Sequence, residues 1–504
     1  HRDLHSFPTR RSSDLAGTGG LVVSQASDGS FDGVISGSGP SSGTGTLAKQ
    51  GPGALALGGT NTFTGLTQVS EGVLRVSRAD GLNAASSLRV TGTGSFEIDN
   101  VAFNSLASLT LAGGLQGDAA LAGRGNASYA GTVTLVGHAS VRAAGASDVL
   151  TLTGLIDGQV DTPVSADPTL IKQGDGTLVL GGSGTNFFPE IMAGTLRAAS
   201  SGVLPEKETR LGPGATLDIS DTTQTIGHLL GGDSSSSVVL GTSGALTVHQ
   251  GLEGAYAGSI SGGGSSFFIK DGSAALHLSG ASPLYSGTTQ VLAGLLSAGG
   301  SGNVLGSGAV QVSGGATLGI DGVTLGVTSL SLQGSGVGGG GALTGVGTAA
   351  YGGPVTLVNP GPVVVGVADG GTLSLGGALS GVPAMSVVKQ GPGTLALGGA
   401  SAYGGGTTIA SGTLVAQHAD ALGSGQVEVA TGATLKIDGV ALNAGALTLN
   451  GNGVGSGGAL QGAGTASYGG TVALATASAI GATTATDVLT VSGPLTGSGS
   501  LAKV

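Results

Sequence analysis

One motif recurs at intervals of roughly one hundred residues and constrains the fold more than any other feature of the chain. Its first copy, Leu47–Gly59, reads Leu-Ala-Lys-Gln-Gly-Pro-Gly-Ala-Leu-Ala-Leu-Gly-Gly. Further copies begin at Leu170, Phe268 and Val387, and a fifth begins at Leu501. The steps between successive motif lysines are 123, 98, 119 and 114 residues. Repetition on this scale predicts stacked structural modules rather than one globular catalytic core.

The copies that begin at Leu47, Leu170 and Val387 each combine one lysine, two glycines and two alternating leucines, and we predict that these residues are structural. The third copy has decayed, because Ser273-Ala274-Ala275 replaces the second glycine and its neighbours. The repeat-motif residues are Lys49, Gly51, Gly53, Leu55, Leu57, Lys172, Gly174, Gly176, Leu178, Leu180, Lys270, Lys389, Gly391, Gly393, Leu395 and Leu397.

Composition excludes several classes of protein. Glycine makes up 105 of the 504 residues without a period of three, which excludes a collagen-type helix. Apolar residues make up 39%, enough for a core, whereas charged residues make up only 9%. The net charge is −11 and no lysine or arginine cluster is present, so no nucleic-acid partner is predicted. The absence of cysteine favours an exported bacterial protein over a disulfide-stabilised one.

Pairs of apolar residues at a spacing of two recur throughout the chain, as in Leu55/Leu57 and Leu74/Val76. This spacing places both side chains on one face of a short strand, and helical periodicity is nearly absent. The sequence therefore predicts an all-β parallel β-helix, or β-solenoid, that forms an elongated rod. With roughly 20–25 residues per turn, the chain after its first 15 residues would form about 20–24 turns.

Further landmarks follow each motif in a fixed order. An aromatic-Gly-Thr turn such as Tyr285–Thr289 precedes a Gly-Thr-Leu strand such as Gly412–Leu414. Together with the lysine motif, these segments resemble the passenger-associated transport repeat of bacterial autotransporters, and the similarity covers most of Leu47–Val504. The resemblance implies a right-handed parallel β-helix passenger, exported through a C-terminal outer-membrane β-barrel of the same polypeptide. It also implies a location at the bacterial cell surface or outer membrane, or secretion after cleavage.

The two ends of the sequence suggest a gene fragment. Residues 1–15 resemble a translated sequencing adapter, and we expect them to be a non-native artefact. Residues 16–504 are then the passenger repeats, with supra-repeats starting near 47, 170, 268, 387 and 501. We expect this region to be truncated at both ends, with the signal peptide and the barrel encoded elsewhere in the gene.

No catalytic, cofactor-binding or metal-binding residue is predicted, and the chain is not expected to be an enzyme. All six tyrosines and five of the seven lysines occupy repeat positions, so few reactive side chains remain for a unique site. The histidines form no short-spaced metal motif. The motif lysines should lie roughly 20–25 Å apart, beyond the screening length, and each is predicted to be solvated beside a turn.

The predicted function is a structural stalk that aids export and displays adhesion to a host or bacterial surface ligand, or self-association. One alternative is a β-helical polysaccharide lyase or hydrolase, which would need paired carboxylates or a basic cluster in a groove. Another is a secreted adhesin that uses a separate transporter partner. The charged segment Pro205–Arg210 has no counterpart in the other repeats and is the first candidate for a unique contact.

Overall fold

Short parallel β-strands form almost all of the regular structure in a computed structural model of the chain. The model describes residues 2–4, 13–14, 20–37, 45–83, 86–103, 108–113, 119–159, 167–358 and 361–504. These residues form an all-β parallel β-solenoid of about 21 turns without an α-helix, which confirms the predicted fold class and agrees with the predicted number of turns. The right-handedness of the helix stays a prediction.

The chain divides into two compact units, residues 1–247 and 248–504. The strands of the first unit are β1 (Arg2–Leu4), β2 (Ser13–Asp14), β3 (Leu21–Ser24), β4 (Gly29–Phe31), β5 (Ile35–Ser36), β6 (Leu47–Gln50), β7 (Leu55–Leu57), β8 (Thr67–Val76), β9 (Ser87–Asp99), β10 (Ala102–Phe103), β11 (Ser108–Gly113), β12 (Leu121–Arg124), β13 (Asn126–Tyr129), β14 (Val133–Ala143), β15 (Val149–Leu152), β16 (Ile156–Gln159), β17 (Thr169–Gln173), β18 (Thr177–Leu180), β19 (Gly184–Thr185), β20 (Phe188–Ile191), β21 (Thr195–Ala198), β22 (Glu208–Leu211), β23 (Thr216–Asp218), β24 (Thr223–Ile226), β25 (His228–Leu230) and β26 (Ser237–Val239). Strand β27 (Ala245–His249) includes the boundary between the units in the sequence.

The strands of the second unit are β28 (Gly254–Tyr256), β29 (Ser259–Ser261), β30 (Phe267–Asp271), β31 (Leu276–Leu278), β32 (Thr288–Val291), β33 (Leu295–Ala298), β34 (Ala309–Val312), β35 (Thr317–Asp321), β36 (Thr324–Leu325), β37 (Ser329–Leu332), β38 (Leu343–Val346), β39 (Thr348–Tyr351), β40 (Val355–Leu357), β41 (Pro362–Val367), β42 (Thr372–Leu375), β43 (Leu379–Ser380), β44 (Ser386–Gln390), β45 (Thr394–Leu397), β46 (Thr407–Ile409), β47 (Gly412–Ala416), β48 (Val427–Val429), β49 (Ala433–Asp438), β50 (Ala441–Leu442), β51 (Leu447–Gly451), β52 (Leu460–Ala463), β53 (Thr465–Tyr468), β54 (Val472–Ala482), β55 (Val488–Val491), β56 (Leu495–Gly497) and β57 (Leu501–Lys503). Two 3₁₀ turns, Val337–Gly339 and Val454–Ser456, interrupt them, and no helix in the described part of the chain is long and apolar enough to cross a membrane.

Strands in the first unit pair with strands about one turn further along the chain. One ladder runs β1-β3-β6-β8-β9-β11-β14-β17-β20-β22-β25, and a second contains β10-β13-β15-β18-β21-β23-β26. Of the segment 1–15, the structure describes only β1 and β2, which pair with β3 and β5. The origin of that segment stays a prediction, and the rest of it lies outside the described residues.

The second unit repeats this arrangement by itself. One ladder contains β30-β32-β34-β37-β40-β43, and a longer sheet starts at β28 and ends at β57. A third, shorter ladder runs β50-β53-β55. All of these pairs are parallel, so a residue faces its equivalent on the next turn.

The alternating apolar residues stack in rows inside each unit. Leu178, Leu196 and Leu217 pair in register on three successive turns of the first unit, and all three are buried. In the second unit Leu395 and Leu414 form the same kind of row. Burial of each leucine contributes about 1.5–3 kcal/mol, so every turn is stabilised mainly by the turns on either side of it.

A buried threonine anchors each of the two glycine-rich 3₁₀ turns. The hydroxyl of Thr317 accepts a hydrogen bond from the Val337 N–H at 2.9 Å and donates to the Gly341 carbonyl at 2.8 Å. Thr434 makes the same two contacts with Val454 and Gly458, at 2.9 and 3.0 Å. A Gly-Ala-Thr-Leu sequence therefore not only forms a strand but also fixes the loop of the next turn.

We expect the stability of the first unit to fall at low pH through Asp221. Its carboxylate accepts hydrogen bonds from the side chain and backbone of Thr242 and Ser243, and these bonds hold the pKa of Asp221 below its ordinary value. A carboxyl with a lowered folded-state pKa stabilises the fold above its unfolded value of about 3.9, and this contribution is lost as the pH falls through the folded-state pKa. Asp221→Asn should therefore flatten the fall in unfolding free energy below about pH 4, measured by denaturant titration at several pH values. An unchanged acid slope would contradict this role.

Candidate functional site

The motif lysine of each of the first four copies is buried, which makes the prediction of a solvated side chain wrong for these four, whereas Lys503 of the fifth copy is exposed. Lys49, Lys270 and Lys389 have 0% exposure and Lys172 has 1%. The lysine follows an apolar residue at a spacing of two, as in Leu47-Ala-Lys49, so it lies on the inward face of its strand. The same period-two signal that located the buried leucines could have located the lysines.

The ammonium group of the buried lysine binds three backbone carbonyls. In the second repeat, Lys172 Nζ donates to the carbonyls of the next two residues, Gln173 at 2.9 Å and Gly174 at 2.6 Å. The third acceptor is the Ala193 carbonyl at 2.9 Å, which belongs to the following turn. Because an ammonium group has three donors, this set satisfies it completely. We call this arrangement the lysine clamp.

The lysine clamp has the same geometry in all four repeats, including the decayed third one. In each, the acceptors are residues one and two after the lysine and a residue on the next turn. The contacts are from Lys49 to Gln50 (3.0 Å), Gly51 (2.6 Å) and Glu71 (3.1 Å), from Lys270 to Asp271 (3.0 Å), Gly272 (2.8 Å) and Ala293 (2.9 Å), and from Lys389 to Gln390 (3.1 Å), Gly391 (2.7 Å) and Ser411 (2.9 Å). Because the same contacts recur in four repeats, the clamp is a structural feature of the repeat itself.

Two glycines of the motif serve different contacts of the clamp. Gly174 has φ +75°, a left-handed conformation that brings its carbonyl towards the ammonium group. At Gly176, a Cβ atom would lie 2.5 Å from the carbonyl oxygens of Asp148 and Gly145 on the preceding turn. The motif therefore contacts the turn before it through one glycine and the turn after it through the lysine.

A further glycine of the clamp was not among the predicted site residues. It follows the third carbonyl acceptor, has φ between +64° and +68°, and packs against the glycine of the lysine-bearing turn. In the second repeat, a Cβ atom at Gly194 would lie 2.4 Å from the Gly174 carbonyl oxygen. Its sequence signals are its place at the start of the Gly-Thr-Leu landmark, as at Gly412, and a distance of 22 to 24 residues from the lysine. The four positions are Gly72, Gly194, Gly294 and Gly412.

Burial governs the electrostatics of the clamp. Loss of solvation lowers the pKa of Lys172, Lys270 and Lys389 to about 8, and burial also lowers the pKa of Lys49, against the attraction of Glu71. At pH 7 the ammonium form of Lys172, Lys270 and Lys389 therefore still predominates, and this is the form with three donors. A buried charge of this kind is tolerated because charge-assisted hydrogen bonds replace its hydration.

We expect the four clamp lysines to resist amine-reactive reagents in the folded protein. Lys207 is exposed and Lys436 is half-buried, so both should be modified at least tenfold faster than Lys172, whose reaction needs local opening of the fold. A lowered pKa alone would increase the fraction of lysine in the reactive neutral amine form, so a slow reaction must come from burial. Timed acetylation followed by mass spectrometry measures each rate, and equal rates for Lys172 and Lys207 would contradict the clamp.

The tyrosines of the repeat landmarks are also structural. All six are buried, with 0–1% exposure. Tyr285 donates its hydroxyl proton to the Thr288 carbonyl at 2.7 Å, and Tyr351 reaches the Pro354 carbonyl at 3.1 Å, which closes the turn three residues further on. Burial raises the pKa of Tyr285 and Tyr403 to about 12, so neither is prepared for acid–base chemistry near neutral pH.

The predicted leucines lie in the core, and no cluster of metal ligands is found among the residues that the structure describes. Leu55 and Leu57 have 1% exposure, and the leucines of the second and fourth motifs have 0%. In the described ranges, no three histidine, cysteine, aspartate or glutamate side chains are grouped so that they could hold a metal ion. The site is therefore structural: its hydrogen bonds join one turn to the next.

A family model described as the passenger-associated-transport-repeat matches residues 47–76, 170–198, 268–298 and 387–416. The chain therefore carries four of these repeats, which confirms the resemblance in the sequence. Each matched segment begins in or just before the lysine-bearing strand and ends with a strand of the following turn, so it contains one complete lysine clamp. No curated protein and no solved structure matches the chain.

Proposed function

We propose that this chain, a carrier of passenger-associated-transport repeats, is a β-helical autotransporter passenger whose lysine clamps fasten successive turns as they fold outside the outer membrane. The observation that carries the proposal is the third hydrogen bond of each clamp. It joins the ammonium group of one turn to a backbone carbonyl of the next, as between Lys172 and Ala193. The clamp can therefore be completed only when both turns have folded.

A chain that emerges from the membrane must not slide back while its turns fold. A new turn that packs on a folded one buries the apolar side chains of all its strands and pairs its backbone, but ordering about 20 residues costs about 1–2 kcal/mol each, which offsets most of that gain. The docked turn is therefore only marginally stable at first. A charge-assisted bond contributes about 1.5–3 kcal/mol and leaves an unpaired buried ammonium when it is broken, so it makes undocking of a clamped turn slow.

The proposed location is the bacterial cell surface, or the medium after cleavage, and the proposed partner in export is an outer-membrane β-barrel of the same polypeptide. The family match supports a connection with autotransporter secretion. The exported chain would display adhesion or self-association. The role is mechanical and non-enzymatic, and turnover of acidic polysaccharides by the purified chain would contradict it.

The test is the rate of export of the chain joined to a signal peptide and an outer-membrane barrel. Replacement of the four clamp lysines with methionine should slow the appearance of protease-accessible protein at the cell surface. Lys207 and Lys436 lie outside the clamps, so their replacement with methionine is the matched control. Equal export rates for the two variants would refute the clamp as an aid to export.

A further inference from the structure

Phe188 is one of only two aromatic side chains in the described part of the chain that are not buried. The structure describes fourteen phenylalanines and tyrosines, and twelve of them are buried. The exceptions are Phe267, which is 37% exposed, and Phe188, which is half-buried on the outward face of β20. Because the repeats otherwise hide their aromatic rings, an outward ring on one strand needs an explanation.

The outward positions of β20 depart from the other three repeats. In β20, the buried residue Ile191 pairs with the clamp lysine Lys172, and the two outward positions before it hold Phe188 and Glu190. The equivalent residues are Leu66 and Gln68, Thr288 and Gln290, and Gly406 and Thr408. Those pairs contain neither an aromatic ring nor a charge, so the second repeat has a surface that the repeat architecture does not require.

Neighbouring turns add polar side chains around this ring. Phe188 pairs with Thr169 of β17, which in turn pairs with His138 of β14, and Glu190 pairs with Arg210 of β22. Since adjacent strands lie about 4.8 Å apart, these side chains form a patch across four successive turns. They line a cleft of about 260 Å³ together with Asp167 and Glu208.

The cleft offers both hydrogen-bond donors and acceptors beside an apolar ring. Arg210 Nη2 lies 2.7 Å from Glu208 Oε1, and the guanidinium has further N–H donors beyond this ion pair. Asp167 and Glu190 contribute carboxylate acceptors, and His138 an imidazole. The ammonium group of the exposed Lys207 lies over the Phe188 ring, 5.7 Å from its centroid, so this flexible side chain moves aside when a ligand packs on that face of the ring.

The charge of the cleft limits its ligand. Three carboxylates and one guanidinium line it and the Lys207 ammonium lies over its ring, a formal charge of −1 with His138 neutral. Such a lining repels phosphates, sulfates and acidic sugars, and its polarity suits no lipid chain. The volume lies near the small end of ligand sites, enough for a single ring rather than a folded partner.

We propose that this cleft binds one uncharged pyranose unit of a glycan. A pyranose has an apolar C–H face that can pack on Phe188 and hydroxyl groups that both donate and accept. The hydroxyls would donate to Asp167 and Glu190 and accept from Arg210. A glycan would then be the ligand of the surface that the passenger displays. The cleft is independent of the clamps, so failure of the glycan proposal would leave the export role intact.

The test is binding of the whole chain to oligosaccharides of glucose, galactose, mannose and N-acetylglucosamine, with glucuronate oligosaccharides as the charged comparison. Fluorine NMR of protein labelled with 4-fluorophenylalanine reports on the ring directly, and the Phe188 signal is assigned as the one missing from Phe188→Thr. We expect a neutral oligosaccharide to shift the Phe188 signal, whereas the glucuronate oligosaccharides do not.

Phe188→Thr and Glu190→Gln place residues of the third repeat at the same positions, so the strand should fold as it does there. We expect each variant to bind at least tenfold more weakly, whereas Phe267→Thr, at the other exposed ring, should bind as the wild type does. No binding of any neutral sugar, equal binding by Phe188→Thr, or a preference for glucuronate or for a lysine-rich peptide would each overturn the proposal.

Discussion

Replacing Gly194 with alanine is expected to destabilise the second repeat by about 2–5 kcal/mol, from a left-handed backbone penalty of about 1–2 kcal/mol and overpacking of about 1–3 kcal/mol. Gly194 has φ +64°, and an added Cβ would lie 2.4 Å from the Gly174 oxygen and 2.6 Å from the Gly176 oxygen. These are backbone atoms, and the first of them accepts from Lys172, so relief of the clash must disturb the clamp.

Gly202→Ala is the matched control for this substitution. Gly202 has φ +69°, almost the same as Gly194, but an added Cβ there meets no atom within 4 Å. Only the backbone penalty of about 1–2 kcal/mol should remain. Hydrogen–deuterium exchange measured by mass spectrometry reports the local stability of β18 and β21, which a single global transition would not resolve in a repeat protein.

We expect Gly194→Ala to speed exchange in β18 and β21 by about 30-fold or more, and by at least about fivefold more than Gly202→Ala does, since each 1.4 kcal/mol corresponds to a factor of ten. Gly202→Ala should change it by no more than about 30-fold. Similar effects of the two substitutions would mean that the contact between the turns contributes nothing beyond the backbone conformation, and would contradict the clamp geometry.

The fold could be predicted from the sequence because its signal is local and repeated. A spacing of two between apolar residues, as in Leu178 and Leu180, identifies a strand with one inward face. The repeat length then favours turns that stack, and in a parallel stack Leu178 meets Leu196 and Leu217 in register. None of these steps requires knowledge of a distant contact beyond the repeat itself.

The environment of the motif lysine could not be predicted in the same way. Lysine is almost never fully buried unless it is paired, and no acidic residue recurs beside the motif as a partner. The partners of Lys172 are backbone carbonyls, which every sequence contains and which only the three-dimensional structure brings together. The period-two pattern and the rule for charged residues gave opposite answers, and the pattern was correct.

The missed glycine has a related cause. Gly194 lies 22 residues after Lys172, and only the register of two successive turns places it against Gly174. Register between turns depends on the lengths of the intervening loops, which vary from one repeat to the next.

Phe188 and Glu190 differ again, because they stand out only when the four repeats are compared position by position on the outward face.

Replacing Lys172 with methionine should destabilise the second repeat by about 3 kcal/mol. Three half-buried carbonyls lose their donor, at about 1–3 kcal/mol each, and the relief of burying a charge offsets part of that cost. Methionine has a similar length and fits the apolar surroundings, so the loss comes from hydrogen bonds rather than from a cavity. Lys207→Met is the matched control, since this exposed lysine lies outside the clamp, and its effect should stay within about 0.5 kcal/mol.

The position of the effect is more informative than its size. The third acceptor, Ala193, immediately precedes Gly194 and β21, so loss of the ammonium group should speed exchange in β21 as well as in β18. In a repeat protein each turn interacts with its neighbours only, so exchange in β6 and β8, several turns earlier in the same unit, should be unchanged. If Lys172→Met increases exchange only in β17 and β18, the clamp stabilises its own turn and does not fasten the next one, and the proposed role in export loses its physical basis.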